Sequence, residues 1–381
     1  MPFSFSQLGG SLRPFSPAFG LDISDRSLKF AYLGKQEEVY HVRAFGERVF
    51  DEGIVEKGKI LLPDKLGEEI RAIMKEHSAG AFLPPYAIVA LPEEEVFLRV
   101  IQVPVMSMQE LREAVRWETE ANIPLSIDDV YYDYQILGQG NTVPKLNHFD
   151  ILVAAAPKET VDGYLKALEG GGVAPLVIEP ESASIVRSLV QQKNQADPVL
   201  LVDIGMVRTR FVVHAAGAVR FTSFVTISVT TFLQALKSAL GVDDQEAQRI
   251  LFSVGINRAA RKGEIFEALV SLITDLKEQM EKYMDFYLTH ENHEHMERHE
   301  FSQVLLAGGG ALIPGLADYF AGALKVSALV GNPWTNILAQ PLQEIPEIPY
   351  REAVRYAAVL GLALRGAQSV KNLDENTFYS V

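Results

Sequence analysis

The sequence lacks cysteine altogether, which excludes disulfide bonds, thiol catalysis and zinc–thiolate sites. It also lacks an excess of positive charge, because 35 lysine and arginine residues stand against 49 aspartate and glutamate residues and leave a net charge of −14. Non-specific binding to nucleic acid or to anionic lipid depends on basic surface, so neither is expected. No apolar run approaches the roughly 18 residues of a membrane-spanning helix, and the first residues lack the apolar segment of a signal peptide. The sequence therefore predicts an acidic protein without a membrane-spanning helix and without direct adhesion to anionic lipid.

What the chain does contain is enough length and apolar character for a large core. With 381 residues, of which 48% are hydrophobic and 22% charged, two to three globular domains are expected. A polar stretch at 193–198 predicts the join between two halves. The predicted organisation is a flexible lead-in over 1–17, a first lobe over 18–91 and 175–197 with a return helix at 350–367, an inserted α/β subdomain over 92–174, a second lobe over 198–349 with a helical part at 241–299, and a mobile tail over 368–381.

The stretch Pro198–His214 is predicted to form a buried strand, a turn and a second strand. Its turn contains Asp203, Gly205 and Thr209 in the pattern D-x-G-x-x-x-T. Glycine permits positive φ and close approach of a ligand, and successive N–H groups in such a turn can bind an anion. Taken alone, the pattern is equally compatible with an ordinary hairpin, since aspartate favours turns anyway.

The same pattern occurs a second time near the start of the chain. Alignment of Ala18–Ala31 with the later hairpin pairs Asp22 with Asp203, Ser24 with Gly205, Lys29 with Arg210 and Phe30 with Phe211. Two similar strand–turn–strand units about half a chain apart predict an internally duplicated fold. Two such hairpins that faced one cleft would be suited to the phosphates of a nucleotide.

A third element follows near the end of the chain. The glycine turn Gly308–Gly310 comes directly after a buried apolar strand, and its bare backbone would let an adenosine lie against it. The order hairpin, hairpin, glycine turn resembles the nucleotide site of the actin-like ATPase superfamily, whose α/β, ribonuclease H-like fold has two lobes. This resemblance implies ATP and Mg²⁺ as cofactors.

Aspartates would coordinate the metal ion in such a site. Mg²⁺ prefers oxygen ligands and keeps several waters, so Asp22 and Asp203 are predicted to hold it through water. Hydrolysis needs a base that activates water, and the catalytic candidates are Asp22, Asp203 and Glu179. Glu179 and the nearby Glu181 are also compatible with ordinary charges at the N-terminus of a helix.

The predicted insert alternates strands and helices. Ser107 precedes the predicted helix Met108–Ile123 with the sequence S-M-Q-E, which is typical of a capping box. Leu111, Val115 and Trp117 are predicted to face the core of the insert.

Over the insert the sequence resembles one family, the PilM proteins, which are actin-like, FtsA-related components of type IV pilus assembly. The resemblance extends from Phe19 to Arg365. Its most distinctive segments are W-E-x-E-x-x-I-P at Trp117–Pro124, D-Y-Q at Asp133–Gln135, A-A-P-K at Ala155–Lys158 and N-P-W at Asn332–Trp334.

The resemblance implies a two-lobed actin-like fold with an FtsA-type inserted subdomain. In the implied nucleotide site, the first phosphate element contains Asp22, Ser24 and Lys29, the second contains Asp203, Gly205 and Thr209, the adenosine element contains Gly308, Gly309 and Gly310, and Gln248 lies on the helix beside the adenosine. The implied protein is cytoplasmic and peripheral to the inner membrane. Its implied partners are the N-terminal tail of a PilN-like inner-membrane protein, the pilus motor ATPase and, as an option, a second copy of the chain.

The chain also departs from the family pattern. Ser24 replaces a glycine, Ser228–Val229 stands where relatives often carry Gly-Gly, and Gln248 and Leu251 replace the Glu and Lys of an A-E-x-x-K helix. These differences predict weaker nucleotide binding and leave the scaffold role that the insert implies unchanged. Weak or no ATP hydrolysis is expected. Two alternatives stay open: an ATP-hydrolysing enzyme such as a sugar kinase, and an FtsA-like filament protein, although residues 372–381 do not show the amphipathic membrane helix that the latter needs.

Overall fold

The computed structural model describes residues 17–36, 39–77, 83–137, 148–191, 197–290, 300–339, 348–368 and 379–380. All but the last residue of the predicted lead-in, and most of the predicted mobile tail, lie outside these ranges. The chain divides into two compact units, of which the first combines Met1–Val190, Pro333–Glu347 and Ala358–Val381, and the second combines Gln191–Asn332 and Ile348–Ala357.

The helices and strands follow in chain order. The first half contains β1 (Phe19–Ile23), β2 (Ser27–Gln36), β3 (Val39–Val49), β4 (Val55–Glu56), β5 (Lys59–Ile60), α1 (Pro63–His77), β6 (Tyr86–Leu91), β7 (Phe97–Pro104), α2 (Met108–Asn122), β8 (Val130–Leu137), β9 (His148–Pro157), α3 (Lys158–Gly171), β10 (Ala174–Pro180) and α4 (Glu181–Leu189). The second half contains β11 (Val199–Ile204), β12 (Thr209–Ala215), β13 (Ala218–Val225), α5 (Val229–Leu240), α6 (Asp244–Ser253), α7 (Glu264–His290), β14 (Gln303–Ala307), α8 (Leu316–Leu324), β15 (Ser327–Val330), α9 (Tyr350–Ala353), α10 (Ala357–Gln368) and β16 (Tyr379–Ser380).

Each unit contains a five-stranded sheet of the same design. The order is β3-β2-β1-β6-β10 in the first unit and β13-β12-β11-β14-β15 in the second. In both sheets the first three strands along the chain pair antiparallel, and the last two are added in parallel. Because strand order and direction agree, the predicted internal duplication is confirmed.

The core of the first unit extends from its sheet onto α1 and α3. One contiguous buried cluster includes Leu21 and Phe30 of the first hairpin, Ile70 of α1 and Tyr164 of α3. The two helices approach closely, because a side chain at Gly171 would overlap Ile70. The helix α3, which we predicted within the insert, therefore packs into the core of the first lobe.

The insert proper is formed by β7, β8 and β9 with α2. The strands pair antiparallel in the order β8-β9-β7, and the buried Leu111 and Val115 of α2 share a core with them. The predicted capping box is present at the start of α2. The Ser107 hydroxyl accepts a bond from the Glu110 N–H, and the Glu110 carboxylate accepts one from the Ser107 N–H at 2.9 Å.

The inward orientation predicted for Trp117 is wrong, because its side chain is 63% exposed. The buried stripe of α2 consists of Leu111, Val115 and Thr119, which are spaced four residues apart. At about 100° per residue, Trp117 points away from that stripe. The Thr119 hydroxyl donates to the Val115 carbonyl at 2.6 Å, so this polar residue is satisfied in its buried position.

The second sheet packs against α7 through aromatic rings. The ring centroid of Tyr283 on α7 lies 4.9 Å from that of Phe211 and 5.4 Å from that of Phe221. The Ser223 and Tyr283 hydroxyls are hydrogen-bonded at 2.8 Å. One face of α7 carries a line of fully buried side chains: Ile265, Leu269, Ile273, Leu276 and Met280.

The larger part of the predicted return helix is α10, which is apolar and buried in the core. Its residues Val359, Leu360 and Leu362 are fully buried, and Arg365 near its end pairs with Glu179. No helix within the described ranges has both the length and the apolar character needed to cross a bilayer.

His214 on β12 is expected to make the stability of the second unit depend on pH. The side chain is buried, and burial, reinforced by the positive charge of Arg220, lowers the pKa of His214 from 6.5 to about 4. Since the folded-state pKa lies below the unfolded value, stability is lost as the pH falls below 6.5 and the unfolded chain takes up the proton. The expected loss from this group is about 2 kcal/mol between about pH 7.5 and about pH 5.

Urea unfolding at the two pH values measures this loss. The control is His214→Gln, which lacks the titrating group, so the difference between the two chains separates His214 from the other histidines. An equal pH dependence in both chains would contradict a buried, neutral imidazole.

Candidate functional site

The second hairpin has the pairing that its sequence predicts. Asp203 on β11 faces Arg210 on β12, and Ile204 faces Thr209. Arg210 Nη1 donates to Asp203 Oδ2 at 2.8 Å, and the two side chains are only 7% and 17% exposed. Asp203 therefore already has a cationic partner, and a phosphate or metal that reached it would meet a preformed ion pair.

The turn of this hairpin is closed by the start of α5. The Gly205 N–H donates to the Arg208 carbonyl at 2.9 Å, and the Gly205 carbonyl accepts from the Val229 N–H at 3.0 Å. Thr230 donates to the Met206 carbonyl through its N–H at 3.2 Å and through its hydroxyl at 2.6 Å. The first amides of a helix commonly bind anions, but here two of them bind the turn instead.

Two hydroxyl groups near the turn have structural partners. Ser228 is the N-cap of α5, and its N–H donates to Thr231 Oγ1 at 2.8 Å in a capping box. Thr231 fills the third helical position, where a capping box ordinarily has Glu or Gln. Thr209 is fully buried, and its hydroxyl donates to the Ile227 carbonyl at 2.7 Å. Its role in binding a cofactor stays a prediction.

The glycine turn packs directly against the second hairpin. Gly308 has a φ of +75°, and a side chain there would overlap the Asp203 carboxylate. A side chain at Gly310 would overlap Ile204. Gly309 differs, because a methyl group there would meet no atom within 4 Å. The turn therefore leaves one open backbone position close to Asp203.

The helix α6 lacks the charged pair of the family pattern, as the sequence predicts. Gln248 is exposed, whereas Leu251 is fully buried. Arg249, the residue after Gln248, forms two bonds of 2.7 Å to the carboxylate of Glu246 on the same helix. Arg249 therefore already has a local partner for its charge.

The first hairpin repeats the register of the second. Asp22 on β1 faces Lys29 on β2, and Lys29 Nζ also lies 3.7 Å from Glu47 Oε1 on β3. The Ser24 N–H donates to the Ser27 carbonyl at 2.9 Å, as the equivalent glycine does in the second hairpin. The Ser24 hydroxyl also donates to this carbonyl and accepts from the Ser27 N–H at 3.2 Å. Replacement of glycine by serine thus adds a hydroxyl that closes the turn.

Glu179, at the end of β10, is held by two arginines. Its side chain is almost fully buried, Arg187 donates to both carboxylate oxygens at 2.6 and 2.9 Å, and Arg365 donates to Oε2. Burial alone would raise the pKa of Glu179, but the two guanidinium groups hold it below its usual range. A carboxylate held in this way is a poor proton acceptor, and its catalytic role stays a prediction.

The predicted site residues divide between the two units. Asp22, Ser24, Lys29 and Glu179 belong to the first unit, and Asp203, Gly205, Thr209, Gln248 and Gly308–Gly310 belong to the second. Within the second unit, the structure brings Asp203 and the glycine turn together. In the part of the chain that the structure describes, no three His, Asp or Glu side chains are grouped so that they could hold a metal ion directly. Coordination of Mg²⁺ through water stays a prediction.

Known proteins share this architecture. A family model described as type IV pilus assembly protein PilM matches residues 20–367. A solved PilM–PilN type IV pilus biogenesis complex matches with a TM-score of 0.75 and 26% identity, over 92% of this chain and 99% of that chain. Two further structures show the fold alone. These are EutJ from Carboxydothermus hydrogenoformans (TM-score 0.52, 13% identity, 93% of this chain and 92% of that chain) and MreB5 of Spiroplasma citri bound to ADP (TM-score 0.54, 12% identity, 95% and 99%).

These neighbours confirm the predicted fold class, an α/β actin-like fold with an inserted subdomain. The family match covers both hairpins, the insert, the glycine turn and nearly all of α10. The chain therefore belongs to the PilM family of type IV pilus assembly proteins.

Proposed function

We propose that this chain is a cytoplasmic scaffold of type IV pilus assembly that binds the N-terminal cytoplasmic tail of a PilN-like inner-membrane protein. The observation that carries the proposal is the match to a PilM–PilN complex at 26% identity over 99% of that chain. A net charge of −14 favours recruitment to the membrane through a partner over direct binding to anionic lipid. The pilus motor ATPase is the proposed second partner, and self-association is a further option.

Calorimetric titration with a synthetic peptide of the PilN-like tail tests this proposal. We expect saturable binding with a dissociation constant on the order of micromolar. The control is a peptide of the same composition in scrambled order, because any non-specific electrostatic attraction to this acidic chain would be the same for both peptides. Equal binding of the two peptides, or no binding of either, would contradict the scaffold role.

ATP with Mg²⁺ is the proposed ligand of the glycine turn and the second hairpin. Asp203 and the open position at Gly309 suit it, and bound Mg²⁺ would neutralise phosphate charge. Ser24 and Thr209 instead direct their hydroxyls into the protein's own turns, and Leu251 is buried. We therefore propose binding with weak or no hydrolysis.

Gly309→Ala is expected to weaken ATP–Mg²⁺ binding about tenfold without loss of stability. A methyl group at this position meets no protein atom, so the fold accommodates it, but it would fill the space against which the nucleoside is proposed to lie. Calorimetric titration of both chains measures the affinity, and thermal unfolding measures the stability.

The matched control is Gly322→Ala on α8, where a methyl group also meets no protein atom. This variant is expected to bind ATP–Mg²⁺ as the original chain does. Unchanged affinity in Gly309→Ala would place the nucleotide away from the glycine turn, and no binding by the original chain would overturn the nucleotide proposal while leaving the scaffold role intact.

A further inference from the structure

The outer face of α2 carries the most exposed large apolar side chain among the described residues of the insert. Trp117 is 63% exposed, although the opposite face of the helix is buried through Leu111, Val115 and Thr119. An indole is a large apolar group, and tryptophan is enriched among the residues that dominate protein–protein binding. Trp117 is therefore the centre of a candidate contact surface.

Carboxylates flank this indole on the same face of the helix. Glu110, Glu113 and Glu120 are all exposed. At about 100° per residue, their side chains and the indole fall within an arc of roughly 80°, which is centred opposite the buried Val115. We call this set the α2 outer stripe, and it consists of Glu110, Glu113, Trp117 and Glu120.

The cations of α2 lie to one side of this stripe. Helical spacing places Arg112 and Arg116 between the stripe and the buried face, and Arg116 Nη2 lies 3.8 Å from Asp128 Oδ1. The Ser107 hydroxyl and N–H donate to the Glu110 carboxylate at 2.7 and 2.9 Å, and these bonds lower the pKa of Glu110. The stripe is therefore acidic at neutral pH, with an apolar group at its centre.

Small side chains lie beside the indole on the other side of the stripe. Ala114 precedes Trp117 by three residues and Ala121 follows it by four, so helical spacing places both on one flank. Ala121 is exposed and Ala114 is partly exposed. A second helix packed along this flank would approach the α2 main chain closely and receive the indole between its own side chains. The shape of the surface therefore suits a helix.

We propose that the α2 outer stripe docks a basic amphipathic helix of a partner protein. The apolar residues of that helix would cover the indole of Trp117, and its lysine or arginine residues would pair with the carboxylates of Glu113 and Glu120. A cation over the indole face adds a cation–π contact. The net charge of −14 attracts such a segment, whereas it repels a second copy of the same acidic face. This docking role is additional to the binding of a PilN-like tail.

Tryptophan fluorescence of the full chain measures this contact. The sequence contains two tryptophans, and Trp334 is fully buried, so a change in solvent exposure on binding is expected at Trp117. The probe is a synthetic peptide of about 14 leucine and lysine residues, roughly four helical turns, with leucine at helical spacing. We expect saturable binding that moves the emission to shorter wavelength. A peptide with glutamate in place of lysine, and one with the same residues in scrambled order, should give no shift, and an equal shift with all three would overturn the proposal.

Two pairs of variants locate the contact by calorimetric titration with the lysine peptide. Trp117→Ala is expected to weaken binding about tenfold or more, whereas Met108→Ala, which removes an exposed apolar side chain off the stripe, should change it about twofold or less. Glu120→Lys is expected to weaken binding about fivefold, and Glu118→Lys, the same change off the stripe, about twofold or less at physiological salt. All four positions are exposed, so thermal unfolding should be nearly unchanged.

Three results would overturn the proposal. The first is unchanged affinity in Trp117→Ala, and the second is an equal effect of Glu120→Lys and Glu118→Lys, because overall charge rather than the stripe would then be responsible. The third is an emission shift that needs no peptide. A shift with rising protein concentration would assign the stripe to a second copy of the chain, and a shift with phosphatidylcholine vesicles in place of the peptide would assign it to lipid.

Discussion

Glu179→Gln is expected to lower the free energy of unfolding by about 3–5 kcal/mol, the range for removal of one partner from a buried ion pair. The carboxylate is buried between Arg187 and Arg365, whose side chains are only 18% and 17% exposed. Glutamine preserves the shape but removes the buried negative charge that the two guanidinium groups share. Urea unfolding of the two chains at neutral pH measures the difference.

The control for this prediction is Glu246→Gln, which removes a carboxylate from its surface pairs with Arg249 and Arg261. Exposed ion pairs contribute little, so its unfolding curve should overlay that of the original chain. Equal, small effects of both substitutions would contradict the structural role of the buried cluster.

The stability contributed by Glu179 with Arg187 and Arg365 has a defined pH dependence. The pKa of Glu179 in the folded chain lies below its ordinary value of 4.5, so its contribution to stability is fully present above that value. The contribution is lost as the pH falls through the lower folded-state pKa, when the carboxylate is protonated. The difference in free energy of unfolding between Glu179→Gln and the original chain should therefore disappear in that acidic range.

The hairpins could be predicted from sequence because their determinants are local. Strand, turn and strand lie within one short stretch, and the spacing between Asp203 and Arg210 equals that between Asp22 and Lys29. An antiparallel hairpin with a fixed turn has a fixed register, so these pairs face each other in both units. The duplicated sheet follows from the same local similarity.

Contacts between distant parts of the chain could not be predicted in this way. The carboxylate of Glu179 is bound by Arg365, which lies on a helix near the opposite end of the chain. The helix α3 packs into the first lobe because Gly171 allows close approach to Ile70, and no local pattern indicates that pairing. Sequence patterns assign an element and its apolar face, but the partner of that face depends on topology.

The candidate site, like the fold, could be predicted where its determinants are local and not where they depend on distant contacts. The positions of Asp203 and the glycine turn follow from the strands that precede them, and the parallel pairing of β11 with β14 brings the two together. The partner of the Thr209 hydroxyl was not predictable, because Ile227 follows the next strand and reaches it only in the folded sheet. A ligand-binding role is therefore harder to predict for a hydroxyl than for a glycine, because the hydroxyl can bond to other protein groups that only the folded structure identifies.

Gly361→Ala is expected to destabilise the first unit by more than about 3 kcal/mol, beyond the usual range for overpacking. Gly361 lies in α10 against α4, and a methyl group there would overlap the carbonyl oxygen of Ser184 and lie 2.6 Å from its carbonyl carbon. Relaxation is restricted because the obstacle is the main chain of a buried helix rather than a flexible side chain. The two helices are also joined by a bond of 3.0 Å from Arg187 to the Gly361 carbonyl, which a shift of α10 would stretch. Thermal and urea unfolding measure the loss.

The matched control is again Gly322→Ala, which makes the same chemical change within a helix. Since a methyl group at Gly322 meets no atom within 4 Å, only the helix propensity changes, and stability is expected to rise by about 0.5–1 kcal/mol. Both substitutions gain the same propensity, so the difference between them measures the steric cost at Gly361 alone. If Gly361→Ala were as stable as Gly322→Ala, α10 would have to lie farther from α4 than the structure places it, and the geometry of the Glu179 cluster, which depends on the same contact, would be wrong as well.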